Sequence, residues 1–195
     1  MGREYNVEGD FSSASYFFGA AAVTGGRIKV KNLNLSSVQG DAKFLEVLEK
    51  MGCRVDRGED YVGLDATDVE LEGVEVDMNL MPDTVQTLAV IALFAKGKTV
   101  IKNVANLRIK ETDRLTALAN ELKKLGAEVI EEEDSLTVIP KENYNGVEIE
   151  TYEDHRMAMS FSLAGLKIEG IKIAGDDCVS KSFPDYWDRF EELSK

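Results

Sequence analysis

Short segments of alternating apolar and polar residues recur at intervals of about 70 residues and predict three equivalent β-strands. Each segment follows a largely apolar stretch that predicts a buried helix and ends at Gly or Lys-Gly, where helices commonly stop. The predicted helices are 13–23, 84–95 and 156–166, and the strands that follow them are 26–32, 97–103 and 170–175. The same order in three places indicates an internal repeat.

Each copy of the repeat contains more than this helix and strand. A strand is predicted before the first helix of every copy, and the first two copies continue into a second helix and a hairpin. The opening strands are 5–8, 74–77 and 147–150, the second helices are 41–51 and 112–125, the hairpin turns are 58–60 and 132–134, and the closing strands are 61–64 and 136–139. The unit is therefore predicted to be β-α-β-α-β-β. The third copy ends after a helix predicted at 185–193, without the closing strand pair.

These units predict one domain of the α/β (α+β) class that spans 1–195 as a single pseudo-threefold lobe. The units are approximately 1–72, 73–145 and 146–195, and the third is incomplete. A chain of 195 residues can bury a core of this kind. The segments between units are ordinary loops, so no linker is expected.

Composition and charge exclude several classes of protein. The formal net charge of −13 at pH 7 opposes non-specific binding to nucleic acids or to anionic membranes. The two cysteines and the single histidine, His155, have neither metal-ligand spacing nor a disulfide framework. No apolar run is long enough to span a bilayer, and the N-terminus lacks a secretion signal. We therefore expect a soluble, cytoplasmic protein without a metal.

The segment 106–114 places cations and one acid at the start of a helix with an apolar stripe. A helix N-terminus has unpaired N–H groups and a partial positive charge, so with Lys110 and Arg114 beside it a small polyanion is the expected guest. Glu111 lies at helical spacing from Arg114 and shares its face. The alternative is a solvent-exposed first turn whose salt bridges contribute about 0–1 kcal/mol.

Other chemically active side chains interrupt the repeat in its second and third copies. Asp83 stands at the head of an apolar helix, 154–156 supply Asp, His and Arg at the head of another, and Lys181 follows in the third copy. Asp fills the cap position of helices readily and stabilises them by about 1 kcal/mol. Asp83 could therefore serve either as a helix cap or in catalysis. Considered by itself, Lys181 has the pattern of a surface lysine.

Five motifs in one order carry a family resemblance. They are Gly-Asp-Phe-Ser-Ser-Ala-Ser-Tyr at 9–16, Pro-Asp at 82–83, Arg-Ile-Lys-Glu-Thr-Asp-Arg at 108–114, Thr-Tyr-Glu-Asp-His-Arg-Met-Ala-Met at 151–159 and Lys-Ser-Phe-Pro-Asp-Tyr at 181–186. Together they closely resemble the 5-enolpyruvylshikimate-3-phosphate synthase family, nearly end to end. That family builds two lobes of three such units with the active site between them, and this chain resembles the C-terminal lobe. In the family the first strands of the polypeptide complete this lobe, which would account for the short third unit.

The resemblance implies a reaction without a cofactor or metal. The family moves the enolpyruvyl group of phosphoenolpyruvate onto the 5-hydroxyl of shikimate 3-phosphate through a tetrahedral intermediate and releases phosphate. By position, Asp83 would help to remove the hydroxyl proton and Glu111 would be the acid/base at the phosphoenolpyruvate methylene. Asn106 and Lys110 would hold the phosphate side of shikimate 3-phosphate.

The resemblance also implies a cationic site for phosphoenolpyruvate. Arg114 and Arg156 would grip its carboxylate, His155 would line the same pocket, and Lys181 would face its phosphate. Cations for two anionic substrates, with a base and an acid beside them, match what the reaction needs.

Half of the family's site is missing from this sequence, since the other lobe contributes further contacts that nothing here matches. The complementary N-terminal lobe is therefore an expected partner, and the isolated chain is expected to be inactive. Two alternatives stay open. One is a lobe of UDP-N-acetylglucosamine enolpyruvyl transferase, whose family lacks the Lys-Glu-Thr-Asp-Arg and Asp-His-Arg patterns. The other is a non-catalytic binding lobe of the same fold.

Overall fold

The first repeat contains two helices and an antiparallel sheet in the computed structural model, which describes residue 2 and residues 7–34 and 36–193. Its elements are α1 (Phe11–Thr24), β1 (Arg27–Lys31), a 3₁₀ turn (Gly40–Lys43), α2 (Phe44–Lys50), β2 (Arg54–Arg57) and β3 (Tyr61–Asp65). The opening strand predicted at 5–8 begins on residues 5 and 6, which lie outside the described residues, and residues 7 and 8 are not in a strand. The other predicted elements of this copy are confirmed.

The second repeat shows the whole predicted unit. Its elements are β4 (Glu75–Asp77), α3 (Val85–Ile91) between 3₁₀ turns (Pro82–Thr84 and Ala92–Phe94), β5 (Thr99–Lys102), a 3₁₀ turn (Ala105–Ile109), α4 (Arg114–Leu125), β6 (Glu128–Glu131) and β7 (Leu136–Ile139). The predicted helix 84–95 is therefore a shorter α-helix that tightens at both ends.

The third repeat has no closing strand pair within the described residues. It contains β8 (Glu148–Ile149), α5 (His155–Ser162), 3₁₀ turns (Ala164–Leu166 and Asp176–Lys181), β9 (Lys172–Ile173) and α6 (Tyr186–Glu192). Across residues 7–34 and 36–193, no helix has the length and apolar character needed to cross a bilayer.

The sheets repeat one pairing pattern. In the second repeat the strand order is β4-β5-β7-β6, with β4 and β5 parallel and the other pairs antiparallel. The first repeat has the matching order β1-β3-β2, and the third pairs β8 with β9 in parallel, as β4 pairs with β5. The mixed α/β class and the shortened third unit are thereby confirmed. The unit boundaries at 72 and 145 stay predictions.

Aspartates fix where three helices begin. Asp10, Asp113 and Asp154 each accept backbone N–H groups of the first turns of α1, α4 and α5. Such caps satisfy N–H groups that have no partner inside the helix. Because of them α4 begins at Arg114, two residues later than predicted, and α5 begins at His155, one residue earlier.

The helices that open the three repeats pack on one another, with α3 between α1 and α5. Buried hydroxyls cross both contacts, since Ser15 Oγ lies 3.0 Å from Thr87 Oγ1, which lies 3.4 Å from Ser160 Oγ. Gly19 permits the close approach, because a Cβ there would come within 2.7 Å of the Leu163 side chain. This packing brings the N-terminal ends of α3 and α5 together.

A close contact at Gly40 joins the first repeat to the loop before α3. A Cβ on Gly40 would lie 1.9 Å from the carbonyl oxygen of Leu80, which is impossible without displacement of the loop. The neighbouring Gln39 accepts the Phe11 N–H and donates to the Gly9 carbonyl oxygen, both at 2.9 Å. Residues 39–41 are therefore pinned between the start of α1 and the start of α3.

We predict that Gly40→Ala lowers the free energy of unfolding by about 1–3 kcal/mol, the usual cost of overpacking a tight contact. Gly165→Ala is the matched control, since a Cβ there would meet the Ile171 side chain at an ordinary 3.6 Å. Urea unfolding of the two variants measures the difference. Equal stabilities would contradict the close contact.

Candidate active site

Arg114 lies at the centre of a cluster of carboxylates. Its side chain is 2% exposed. Nε donates to Asp154 Oδ2 at 2.6 Å and Nη2 to Asp154 Oδ1 at 3.3 Å. Nη1 donates to Asp83 Oδ1 at 3.3 Å, and Nη2 also donates to Glu111 Oε2 at 2.8 Å. A buried guanidinium requires anionic acceptors, and here three carboxylates supply them.

Asp83 bridges two arginines ahead of α3. Its Oδ1 accepts from Arg114, and its Oδ2 accepts from Arg156 Nη2 at 3.1 Å. Among the described residues its carboxylate accepts only from these two arginines, and the cap positions of the 3₁₀ turn and of α3 are filled by Met81 and Thr84. The capping interpretation of Asp83 is therefore wrong, and its carboxylate belongs to the cluster.

Arg156 keeps N–H groups that have no partner within the described residues. Its Nη1 donates to the Asp83 carbonyl oxygen at 3.3 Å and to the Tyr16 hydroxyl at 3.4 Å, and its Nη2 donates to the Asp83 carboxylate. A guanidinium has five N–H donors, so two remain. Because the side chain is 15% exposed, an anion can reach it.

Glu111 joins the 110–113 loop to the segment that carries Lys181. Its Oε1 accepts from Lys181 Nζ at 3.2 Å, and its Oε2 accepts from Arg114. Burial acts to raise the pKa of Glu111, but its own backbone N–H, Arg114 and Lys181 together lower that pKa to about 2. Glu111 is therefore ionised at neutral pH.

The two predicted ligands of the shikimate side differ in their surroundings. Lys110 is exposed and makes no hydrogen bond or ion pair with the described residues, whereas Asn106 is half-buried and its Oδ1 has no partner there. Arg108, the third cation of the loop, turns away to Asp113 and Glu131 at 2.9 and 3.0 Å. Arg108 therefore fastens the loop to the β6–β7 hairpin, and Lys110 is the cation that stays free.

His155 is buried beside the arginines at the start of α5. Its Nδ1 lies 3.9 Å from Asp154 Oδ1 and makes no hydrogen bond within the described chain. Burial, and next the positive charge of Arg156, lower the pKa of His155. A neutral imidazole is therefore expected at pH 7, so His155 adds no cation to the pocket.

Three residues of the cluster were not among the predicted site residues. Asp154 is fully buried, caps α5 and binds Arg114. Tyr16 contacts Arg156. Asp41 lies close enough to Asp83 for the charge of Asp83 to raise its pKa. Asp154 and Tyr16 stand inside recognisable motifs, but the motif pattern does not say which side chains meet. Asp41 follows Gln-Gly at a predicted helix start, which is also the pattern of an ordinary cap.

Asp41 is a carboxyl group without a hydrogen bond or ion pair to the described residues. Burial, and then the negative charge of Asp83, raise the pKa of Asp41 to about 6, although Arg156 and Lys110 oppose the shift and Asp10 adds to it. The Gly40 contact places the Asp41 segment against the loop that carries Asp83. Asp41 therefore changes charge near neutral pH at the edge of the cluster.

The chemistry available at the cluster is anion binding and proton transfer. Guanidinium and ammonium groups bind anionic ligands, and carboxylates accept protons beside them. Among the residues that the structure describes, no three His, Cys, Asp or Glu side chains are grouped to hold a metal ion. The prediction that no metal or cofactor is used remains a prediction.

Solved structures share this fold. A 2.37 Å structure of EPSP synthase from Acinetobacter baumannii superposes with a TM-score of 0.83 at 32% identity, covering 95% of this chain and 46% of that chain. A second EPSP synthase structure from the same organism gives a TM-score of 0.81 at 30% identity. The fold is that of the enolpyruvyl transferases, and this chain matches about half of such a fold.

The sequence comparisons define the family within this class. The sequence model of EPSP synthase (3-phosphoshikimate 1-carboxyvinyltransferase) matches residues 1–190, so the chain belongs to the EPSP synthase family. Proteins named 3-phosphoshikimate 1-carboxyvinyltransferase from Yersinia pseudotuberculosis (strain YPIII) and Buchnera aphidicola are 51% and 48% identical over 191 residues. These matches cover 98% of this chain and 44% of each relative, so the chain spans less than half the length of either relative. The predicted resemblance is confirmed.

We predict that Asp41→Asn stabilises the chain at pH 7.5 but not at pH 4. A carboxyl whose pKa is raised from 3.8 to about 6 on folding keeps its proton in the folded state while the unfolded state loses it. Stability therefore falls as pH rises from about 4 to about 6, and the asparagine removes that loss.

Thermal unfolding of Asp41→Asn at the two pH values, beside the wild-type chain, measures this effect. Asp188→Asn removes one exposed charge on α6 and serves as the control, with the same small change in Tm at both pH values. An Asp41→Asn effect that is equally large at pH 4 would contradict a raised pKa caused by partial burial and by the charge of Asp83.

Proposed function

We propose that this chain is the C-terminal lobe of a 3-phosphoshikimate 1-carboxyvinyltransferase, with the complementary N-terminal lobe as its partner. The enzyme would transfer the enolpyruvyl group of phosphoenolpyruvate to the 5-hydroxyl of shikimate 3-phosphate and release phosphate. The observation that carries the proposal is the cluster in which Asp83 and Glu111 lie against Arg114 and Arg156. The family match and the names of the relatives support it.

Arg156 is the principal ligand for the phosphoenolpyruvate carboxylate in this proposal. Two of its N–H groups are unpaired within the described residues and the side chain is partly exposed. A planar guanidinium suits a carboxylate because the two can form parallel hydrogen bonds. Arg114 makes four contacts with carboxylates already, so its direct grip on substrate would require one of them to move.

Glu111 changes its protonation during the proposed reaction. In the free chain the pKa of Glu111 is held at about 2, so it is a carboxylate that cannot yet donate a proton. The phosphate of phosphoenolpyruvate would draw Lys181 away from Glu111, and loss of that cation raises the pKa. With its pKa raised, Glu111 would take up a proton from solvent and become the acid that protonates the methylene carbon.

Asp83 acts on the other substrate. As the hydroxyl oxygen of shikimate 3-phosphate bonds to the central carbon of phosphoenolpyruvate, Asp83 takes the hydroxyl proton and Glu111 gives a proton to the methylene. The second step reverses the role of Glu111. It takes a methyl proton back while the carbon–oxygen bond to phosphate breaks, and phosphate leaves with the electron pair.

The remaining predicted ligands fit the shikimate side or the pocket wall. Lys110 is exposed and free to meet a phosphate, and Asn106 has an unpaired Oδ1 that can accept a hydroxyl hydrogen. Neutral His155 would line the phosphoenolpyruvate pocket. We also propose that 1–72, 73–145 and 146–195 are the three units of the lobe, and that it works in the cytoplasm.

The alternatives are less well supported. The names of the family and of the relatives reported above favour this transferase over the UDP-N-acetylglucosamine enzyme. A non-catalytic lobe would have no use for the pairing of Glu111 with Lys181, because the Lys181 side chain is exposed and such an ion pair contributes little to stability.

Release of phosphate from phosphoenolpyruvate in the presence of shikimate 3-phosphate tests the proposed function. We expect no turnover by the chain alone, because holding both substrates in one water-poor cleft supplies about 7–11 kcal/mol of barrier lowering that half a site lacks. Adding the complementary lobe as a separate polypeptide should give turnover. Glu111→Gln should then lower kcat by roughly 10²–10⁴.

Glu133→Gln is the matched control, since the Glu133 side chain is exposed on the β6–β7 hairpin and should leave kcat unchanged. Turnover by the purified chain alone at a rate near that of the two lobes together would contradict the half-site proposal. Retention of kcat within about threefold in Glu111→Gln would remove its acid/base role.

A further inference from the structure

We infer that Tyr16 is a positioning residue whose buried hydroxyl orients the Arg156 guanidinium and so decides which of its N–H groups are left for a carboxylate. The carboxylate part of this inference rests on the proposed function. The orientation part stands on the structure of the cluster alone.

The contact between the two side chains fixes one end of the guanidinium. Tyr16 Oη accepts from Arg156 Nη1 at 3.4 Å, and the same nitrogen donates to the Asp83 carbonyl oxygen at 3.3 Å. With Nη2 on the Asp83 carboxylate, three acceptors hold the plane. Arg156 is the sole hydrogen-bond partner of the Tyr16 hydroxyl among the described residues.

An aromatic cluster holds the Tyr16 ring rigidly in place. The ring is 1% exposed and meets Tyr186 edge to face, with centroids 5.8 Å apart. Tyr186 is itself fixed by Ser162 Oγ at 2.8 Å and by the Met159 carbonyl oxygen at 3.1 Å. Val179 belongs to the same cluster, two residues before the site lysine. The hydroxyl that meets Arg156 is therefore anchored by α5, α6 and the segment that carries Lys181.

A neutral hydroxyl suits this position better than an acid. Burial raises the pKa of Tyr16 to about 12, so the group carries no charge at working pH. A carboxylate in its place would cancel more of the positive charge that Arg156 offers to an anion. The Tyr16 hydroxyl thereby accepts a hydrogen bond from Arg156 without neutralising the positive charge of the guanidinium.

Tyr16→Phe removes the hydroxyl and keeps the ring, and Tyr186→Phe is the matched control. Both tyrosines are buried in the same cluster, but the Tyr186 hydroxyl bonds to Ser162 and Met159 rather than to Arg156. Arginine side-chain ¹⁵N–¹H spectra of the 195-residue chain measure orientation directly. In Tyr16→Phe the Arg156 N–H groups should exchange faster and shift, while those of Arg114 stay in place.

Titration with phosphoenolpyruvate and with inorganic phosphate measures the consequence for binding. We expect Tyr16→Phe to weaken phosphoenolpyruvate binding roughly three- to tenfold, the scale of one lost hydrogen bond to a charged group. The loss should be the same from pH 6 to pH 9, because the hydroxyl does not titrate there. Inorganic phosphate has no carboxylate, so its affinity should change by less than about twofold.

Two results would overturn the inference. One is an Arg156 spectrum unchanged by Tyr16→Phe, and the other is an equal change in Tyr186→Phe, which would indicate general loosening of the aromatic cluster. If the wild-type chain bound no phosphoenolpyruvate, the proposed function would be in error for the isolated lobe. The spectra of Arg156 would still decide whether Tyr16 orients it.

Discussion

The structure depends on one buried positive charge that cannot exist without its acceptors. Arg114 is almost fully removed from solvent, and its guanidinium is satisfied by Asp154, Asp83 and Glu111. A charge in such a place is tolerated only when carboxylates surround it. These three acids precede α5, α3 and α4, so satisfying Arg114 also draws the starts of three helices to one point.

The same contacts leave the cluster nearly neutral before any ligand arrives. Asp83 bridges Arg114 and Arg156, Glu111 occupies Lys181, and Lys110 is the cation without a partner in the described chain. An anionic substrate must therefore compete with carboxylates of the lobe itself. In the proposed reaction this competition would couple substrate binding to the protonation of Glu111, since Arg114 and Lys181 both lower its pKa and would both attract an anion. It also explains why the proposed partner lobe would matter, since a lobe that closed over the cluster would remove the water that screens these charges.

The repeat and the fold class could be predicted because they depend on local patterns. Strands are predicted directly by the alternation of apolar and polar residues at 26–32 and 97–103. Helix ends are predicted by glycine. The loop motifs likewise contain predicted residues that the structure brings together, since Asp83 contacts both Arg114 and Arg156 and Glu111 contacts Arg114. The pairing of side chains could not be predicted, because it depends on distances between elements that are far apart in the chain. The sequence around Asp83 fits a helix cap equally well. Only the tertiary contacts of Arg108 with Asp113 and Glu131 distinguish it from Lys110. Tyr16 and Asp41 carry no local signal of their tertiary partners.

The central role of Arg114 is tested most directly by a double-mutant cycle between Arg114 and Asp154, measured by urea unfolding. Arg114→Met leaves the buried Asp154 carboxylate without its cation and should lower the free energy of unfolding by about 3–5 kcal/mol. Asp154→Asn leaves Arg114 paired with Asp83 and Glu111, so its cost should be smaller, about 2–3 kcal/mol. The asparagine keeps the capping oxygen, so the cap is not lost with the charge. If Arg114 organises the cluster, the double variant should lose less unfolding free energy than the two single losses added together. The difference should be at least about 2 kcal/mol. Effects that add to within about 0.5 kcal/mol would show that the two residues act independently and would contradict a cluster organised by Arg114.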